Sequence, residues 1–229
     1  MAKKKTTQHD NLQDIENVLT KSEQFIEDNQ KIITYIVGAI VIVVAGYLSL
    51  NKFIIQPREN EAQSQMFMAE NYFEKDSFNL ALNGDGNYLG FLDIIDDYSM
   101  TKTGKLARYY AGISYLRLGE YNEAIDYLGR FKTKNIVLGP VKEGSMGDAY
   151  LQLGEKDKAL NHYLKAVKMS ENEFTAPIYL MKAGNLLEQD GQHDKALQNY
   201  KTIKEKYPDT TEGRNVEKYI ARVTALMSR

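Results

Sequence analysis

One spacing constrains this chain more than any other feature: a glycine, six residues, a second glycine, and an alanine five further on. It occurs three times after residue 110, at Gly112, Gly119 and Ala124, at Gly147, Gly154 and Ala159, and at Gly184, Gly191 and Ala196. Such a beat marks stacked helical hairpins, because small residues let two helices cross closely and no single hairpin can bury its apolar face alone. Successive copies start 35 and 37 residues apart, which is room for two short helices and their turns. Large residues keep step with the small ones. Four residues before the second glycine stand Tyr115, Tyr150 and Leu187, and nine after it stand Leu128, Tyr163 and Tyr200.

This pattern of large side chains facing small ones resembles the tetratricopeptide repeat, a hairpin of two antiparallel helices about 34 residues long. A fainter first copy runs through Ala69, Tyr72, Asp76, Phe78 and Ala81 before it breaks at Asn83-Gly84-Asp85-Gly86-Asn87. A second apolar run from Leu89 to Tyr98 follows, so the first hairpin is expected to carry an insertion. The acids of that loop raise a calcium site, but the twelve-residue loop closed by glutamate is missing and the run reads as a turn. Pro208 stands where these repeats end their second helix, whereas Ile136 and Glu171 occupy the matching positions of the two preceding copies. Those two turns are expected to differ. Val216, Tyr219, Ile220, Val223 and Met227 then predict one amphipathic helix over 211–228, the cap that shields the end of a helical array.

Between Lys31 and Lys52 lie twenty residues, Ile32 to Asn51, with no charge, and eleven of them are Ile, Val or Leu. Twenty helical residues cover about 30 Å, the thickness of a bilayer core, and the aliphatic side chains outweigh Thr34, Ser49 and Asn51. A cleaved signal peptide has a shorter apolar core and a brief basic leader, so the segment reads as an uncleaved transmembrane helix. Charge near its ends is balanced, Lys21 and Lys31 against Lys52 and Arg58, and only Lys3, Lys4 and Lys5 lean the amino terminus toward the cytoplasm. Gly38, Ala45 and Ser49 share a stripe on which another membrane helix could pack, although no G-x-x-x-G is present. In the tail, residues 1–31, Leu12, Ile15, Leu19 and Ile26 recur at helical spacing, with Val18 and Phe25 beside them. The fold class is therefore all-α: tail 1–31, membrane helix 32–51, and from Pro57 a solenoid over 57–229. Its hairpins are expected near 57–98, 105–135, 140–170 and 176–207.

Several function classes find no support. A net charge of −2 and the lack of a long basic block argue against nucleic acid. Without cysteine there is no disulfide, thiol nucleophile or thiolate metal site. His9, His162 and His193 share no metal-ligand spacing, and His162 and His193 read as helix-surface and turn residues. Asp96 and Asp97 are adjacent and point differently on a helix, so no carboxylate pair forms. Neither a cofactor nor a small-molecule substrate is expected, and a catalytic reading would have to rest on those histidines. The first helix of each hairpin usually lines the concave side of such arrays. Its outward positions are Phe73, Tyr109, Ile113, Arg117, Asp148, Gln152, Asn185 and Gln189, where aromatic area and amides suit an extended protein segment.

The layout of charged tail, one anchor and some 170 residues of repeats resembles the ancillary SecYEG translocon subunit (YfgM-like) family across essentially the whole chain. That resemblance implies a Gram-negative inner-membrane protein with periplasmic repeats, associated with translocon subunits and with a periplasmic folding factor or exported chains. It carries over no catalytic residues. A scaffold for outer-membrane assembly or for cell-wall and division coordination would have the same fold and different partners.

Overall fold

Two units divide the chain, residues 1–57 and 58–229, and they are described separately. The structure is a computed structural model that describes residue 25 and residues 27–228. His9 and the tail stripe of Leu12, Ile15, Val18, Leu19 and Ile26 lie outside the described residues.

In the first unit α1 spans Gln30–Leu50, 21 residues with none buried, and it is long and apolar enough to cross a membrane. The Thr34 hydroxyl donates to the Gln30 carbonyl at 2.7 Å, so this polar group is satisfied within the helix. Gly38, Ala45 and Ser49 are all exposed, and nothing lies within 4 Å of where a Gly38 side chain would begin. A wide π-helical turn, Asn51–Ile55, precedes α2, Gln56–Glu74, whose second residue is Pro57. Proline supplies no N–H and crowds the carbonyl four residues back, and the widened turn ahead of it accommodates both.

The second unit contains the hairpins. Ala62, Met66 and Ala69 recur every three or four residues on the buried face of α2. The helix that answers it is split into α3, Phe78–Asn83, and α4, Phe91–Asp97, by the inserted loop. In that loop Asp85 accepts the backbone N–H groups of Asn87 (2.9 Å) and Tyr88 (2.8 Å) and the Tyr72 hydroxyl (2.8 Å), so the acid group folds the turn. Three regular hairpins follow: α5 (Lys102–Leu118) with α6 (Tyr121–Arg130), α7 (Leu138–Gln152) with α8 (Lys156–Met169), and α9 (Ala176–Gln189) with α10 (His193–Lys206). The cap differs from the single expected helix. It is broken into α11, Thr211–Asn215, and α12, Glu217–Met227, because the chain tightens at Val216, whose N–H reaches the Gly213 carbonyl three residues back while its side chain is fully buried.

The glycines do two jobs. A Cβ on Gly112, Gly147 or Gly184 would stand 2.6, 2.6 or 2.5 Å from side-chain carbons of Leu128, Tyr163 or Tyr200, so each close crossing pairs a missing side chain with a large one. Gly119, Gly154 and Gly191 lie past the ends of α5, α7 and α9 with φ of +86°, +79° and +72°. This left-handed step lets the following N–H bond back to Tyr115, Tyr150 or Leu187. The faint first copy does the same without glycine: Asp76 has φ +56° and Ser77 bonds back to Tyr72.

Turns between hairpins come in two kinds, as the mismatch of Pro208 with Ile136 and Glu171 predicts. Thr101 and Thr210 accept the N–H of Gly104 (2.9 Å) and Gly213 (3.1 Å), capping α5 and α11. Asn135 instead accepts from Val137 and Leu138, and Asn172 from Phe174 and Thr175. The Asn172 amide also donates to the Ile136 carbonyl at 2.9 Å, tying one turn to the next. The core accordingly runs in series, with clusters around Phe91 and Ile94, around Tyr163 and Tyr179, and around Tyr200 and Val223.

Candidate functional site

Five of the eight outward positions, Tyr109, Ile113, Arg117, Asp148 and Gln152, line one cleft of about 630 Å³ between α5 and α7. Tyr121 closes it from α6, Val141, Ser145 and Leu151 from α7, and Lys182 reaches in from α9. Tyr109 is half-buried, its ring 5.5 Å from that of Phe131, whereas Arg117 and Gln152 are exposed. The cleft thus has a firm aromatic and aliphatic wall and movable polar ends.

The other three positions are placed elsewhere. Phe73 packs edge-on against Phe78 (5.5 Å), Phe91 (6.2 Å) and Tyr110 (5.1 Å) at the core of the first hairpin, so it joins α2 to both halves of the split helix and to α5. Asn185 accepts the Tyr200 hydroxyl at 2.8 Å. Gln189 is exposed at the end of α9 and is not among the residues lining the cleft.

Lys182, Glu143 and Glu188 carry much of the electrostatics and were not singled out from the sequence. Lys182 Nζ lies 2.6 and 2.7 Å from the two carboxylate oxygens of Asp148, which also accepts the Tyr163 hydroxyl at 2.7 Å. The same ammonium sits 5.7 and 5.9 Å above the rings of Tyr163 and Tyr179. Burial, then the charge of Asp148, pushes both phenols far above their ordinary value, so they stay neutral donors. Glu188 receives a two-pronged contact from Arg222 of α12 (2.6 and 2.8 Å) together with the Tyr200 hydroxyl. The Arg222 hydrogen bonds hold its carboxyl below the usual range. Asp148 to Lys182 and Glu188 to Arg222 are each 34 residues apart, one repeat length, and opposite charges at that offset were the available signal.

His162 is not simply on the surface. Its ring stacks on Tyr150 at 5.1 Å and its Nδ1 lies 2.8 Å from Glu143, which is 1% exposed. Burial alone would raise the Glu143 pKa, but hydrogen bonds from His162, Lys142 (2.8 Å) and Lys165 (3.1 Å) hold it at about 2. An ionised carboxylate only accepts, so Nδ1 carries the proton. The cluster joins α7 to α8.

Comparison with known proteins agrees with this geometry. Residues 145–209 and 106–135 each match a tetratricopeptide-repeat family. Among solved structures, the nearly identical TPR-like repeats of a Podosopora anserina putative kinesin light chain align with a TM-score of 0.56 at 12% identity, over 75% of this chain and 89% of that one. MamA protein aligns with a TM-score of 0.51 at 18% identity, over 72% and 88%. No curated protein matches the chain significantly. The matched repeats and the solved neighbours agree on a tetratricopeptide-repeat solenoid fold, which supports a role in protein–protein interaction.

Proposed function

We propose that this protein is a non-catalytic, membrane-anchored adaptor that holds another protein in the cleft between α5 and α7. The observation that carries the reading is the cleft itself: exposed Arg117 and Gln152 flank an apolar wall, while the neighbouring polar positions are engaged inside the array. Its finer part rests on the layout. A 21-residue apolar helix followed by repeats fits an accessory subunit of the SecYEG translocon in a bacterial inner membrane. The amino terminus would be cytoplasmic and the repeats periplasmic, engaging a folding factor or exported chains.

Affinity purification of the tagged full chain from its native membranes tests both parts. Recovery of translocon subunits, with loss of the periplasmic partner on Ile113→Lys but not of the channel, is the expected result. Repeats that are digested by protease in intact spheroplasts support the orientation. Repeats protected until the membrane is opened refute it, and recovery of other envelope machinery in place of the channel refutes the translocon assignment.

A further inference from the structure

The charge balance inside the cleft says what kind of segment it accepts. Among its lining residues only Arg117, Asp148 and Lys182 are charged. Asp148 and Lys182 neutralise each other through two contacts of 2.6 and 2.7 Å, and the carboxylate is further occupied by the Tyr163 hydroxyl. Arg117 is exposed and, among the described residues, makes no ion pair. The cleft therefore presents one unsatisfied positive charge, at the carboxy-terminal turn of α5, one helical turn from Ile113. A guanidinium at the rim retains its five donors and is suited to a planar carboxylate. Tyr109, Ile113, Val141 and Leu151 beside it offer an apolar seat that desolvates the pair from one side.

Resting on the protein-binding reading above, we infer that the cleft selects a protein segment in which a carboxylate lies next to an aliphatic or aromatic side chain. The carboxylate pairs with Arg117 and the apolar group sits against Ile113 and Tyr109. A lysine or arginine at the same place meets Arg117 with no free acid among the lining residues, so basic segments are disfavoured by repulsion. Binding weakens as salt rises, because the pair stays partly open to solvent.

The test is selection of random dodecapeptides on the full chain in nanodiscs, displayed either internally or with a free carboxy terminus. Wild type is expected to enrich Asp or Glu beside an apolar residue. Arg117→Gln should remove the acidic preference, lowering affinity about tenfold for the selected peptides, and Arg117→Glu should shift selection to Lys and Arg. Enrichment confined to the free-terminus library assigns the carboxylate to a chain end instead of a side chain. Unchanged acidic enrichment in Arg117→Glu, or no acidic enrichment in wild type, overturns the inference while leaving the cleft as a binding site. Peptides that bind Ile113→Lys as well as wild type place the site elsewhere and overturn both readings. Arg117 is exposed, so far-UV circular dichroism of its variants should match wild type.

Discussion

Replacing Gly147 by alanine tests the close crossing on which each hairpin rests. The added Cβ would stand 2.6 and 2.7 Å from Cε1 and Cδ1 of Tyr163 and 3.2 Å from the Ala159 carbonyl oxygen. That carbonyl belongs to the α8 backbone and cannot swing aside. Nor is the ring free to move, since its hydroxyl is bound to Asp148 at 2.7 Å and its face is stacked on Tyr179 with centroids 6.3 Å apart. Forcing the helices apart costs about 1–3 kcal/mol as overpacking, and losing the hydrogen bond to an ionised acceptor adds about 1.5 kcal/mol. Alanine returns about 1 kcal/mol in helix propensity. The net is a loss of about 2 kcal/mol, or about 5 °C in melting temperature for a chain of this size. Gly129→Ala makes the same chemical change where a Cβ meets only Met146 Cε, at 4.0 Å. With no overlap to offset it, propensity should stabilise that variant by up to about 1 kcal/mol. Thermal melting of the full chain in detergent micelles, followed by far-UV circular dichroism, reads the order of midpoints. A Gly147→Ala protein that melts at or above wild type refutes the claim that close approach fixes this glycine.

Glu143→Gln should destabilise the array by about 3 kcal/mol at neutral pH, because a carboxyl held at about 2 instead of its ordinary 4.5 stabilises the folded state once ionised. The depressed pKa places that contribution above pH 4.5 and removes it as pH falls toward 2, so melting curves of the two proteins should converge over this interval; a constant gap contradicts the ionic account. Thr101→Ala and Asn172→Ala should each lose about 1 kcal/mol through uncapped N–H groups, and Asn172→Thr should not restore stability, since one hydroxyl hydrogen cannot replace the two amide N–H groups that serve Ile136, Ser170 and Thr175. Arg222→Ala should raise hydrogen exchange in α12 while leaving α5 unchanged, because Glu188 then loses its hold on the cap; equal protection in both proteins would show that Val223 packing alone retains the helix.

Much of the hairpin architecture was legible because it follows from spacing. Gly112, Gly147 and Gly184 meet the residues sixteen positions later, and the distance from helix to helix across a short turn fixes that number. The long apolar helix, Gln30–Leu50, was legible from hydropathy alone. What spacing could not show was the use of polar groups. Asp148 and Asn185 sit on the outward face as the periodicity requires, yet tyrosines from the second helices claim them both. Phe73 packs against Phe78 and Phe91, which lie on either side of the insertion, and no periodic rule counts an insertion. His162 looked solvated because its partner, Glu143, is a buried carboxylate, and charged residues are rarely assigned to a core from sequence. The asparagine turns were legible only as a departure from proline, since their bonds run to backbone a few residues away.

A substitution in the second helices decides which part of the groove remains open. Residues 128, 163 and 200 stand fifteen after residues 113, 148 and 185. In the last two hairpins Tyr163 and Tyr200 each carry a hydroxyl that, once buried, needs an acceptor, and Asp148 and Asn185 supply it. In the first regular hairpin that place is held by Leu128, which asks for none, and the matching residue is Ile113. The face of α5 is therefore free to be apolar and unengaged, whereas the face of α9 is drawn inward and further covered when Arg222 of the cap binds Glu188. Asp148 stands between these cases, bound to its own tyrosine but still bordering the cleft. The contrast between the α5 face and the α9 face thus follows from one leucine-for-tyrosine difference and its hydrogen-bonding consequence, and it leaves the accessible cleft between α5 and α7.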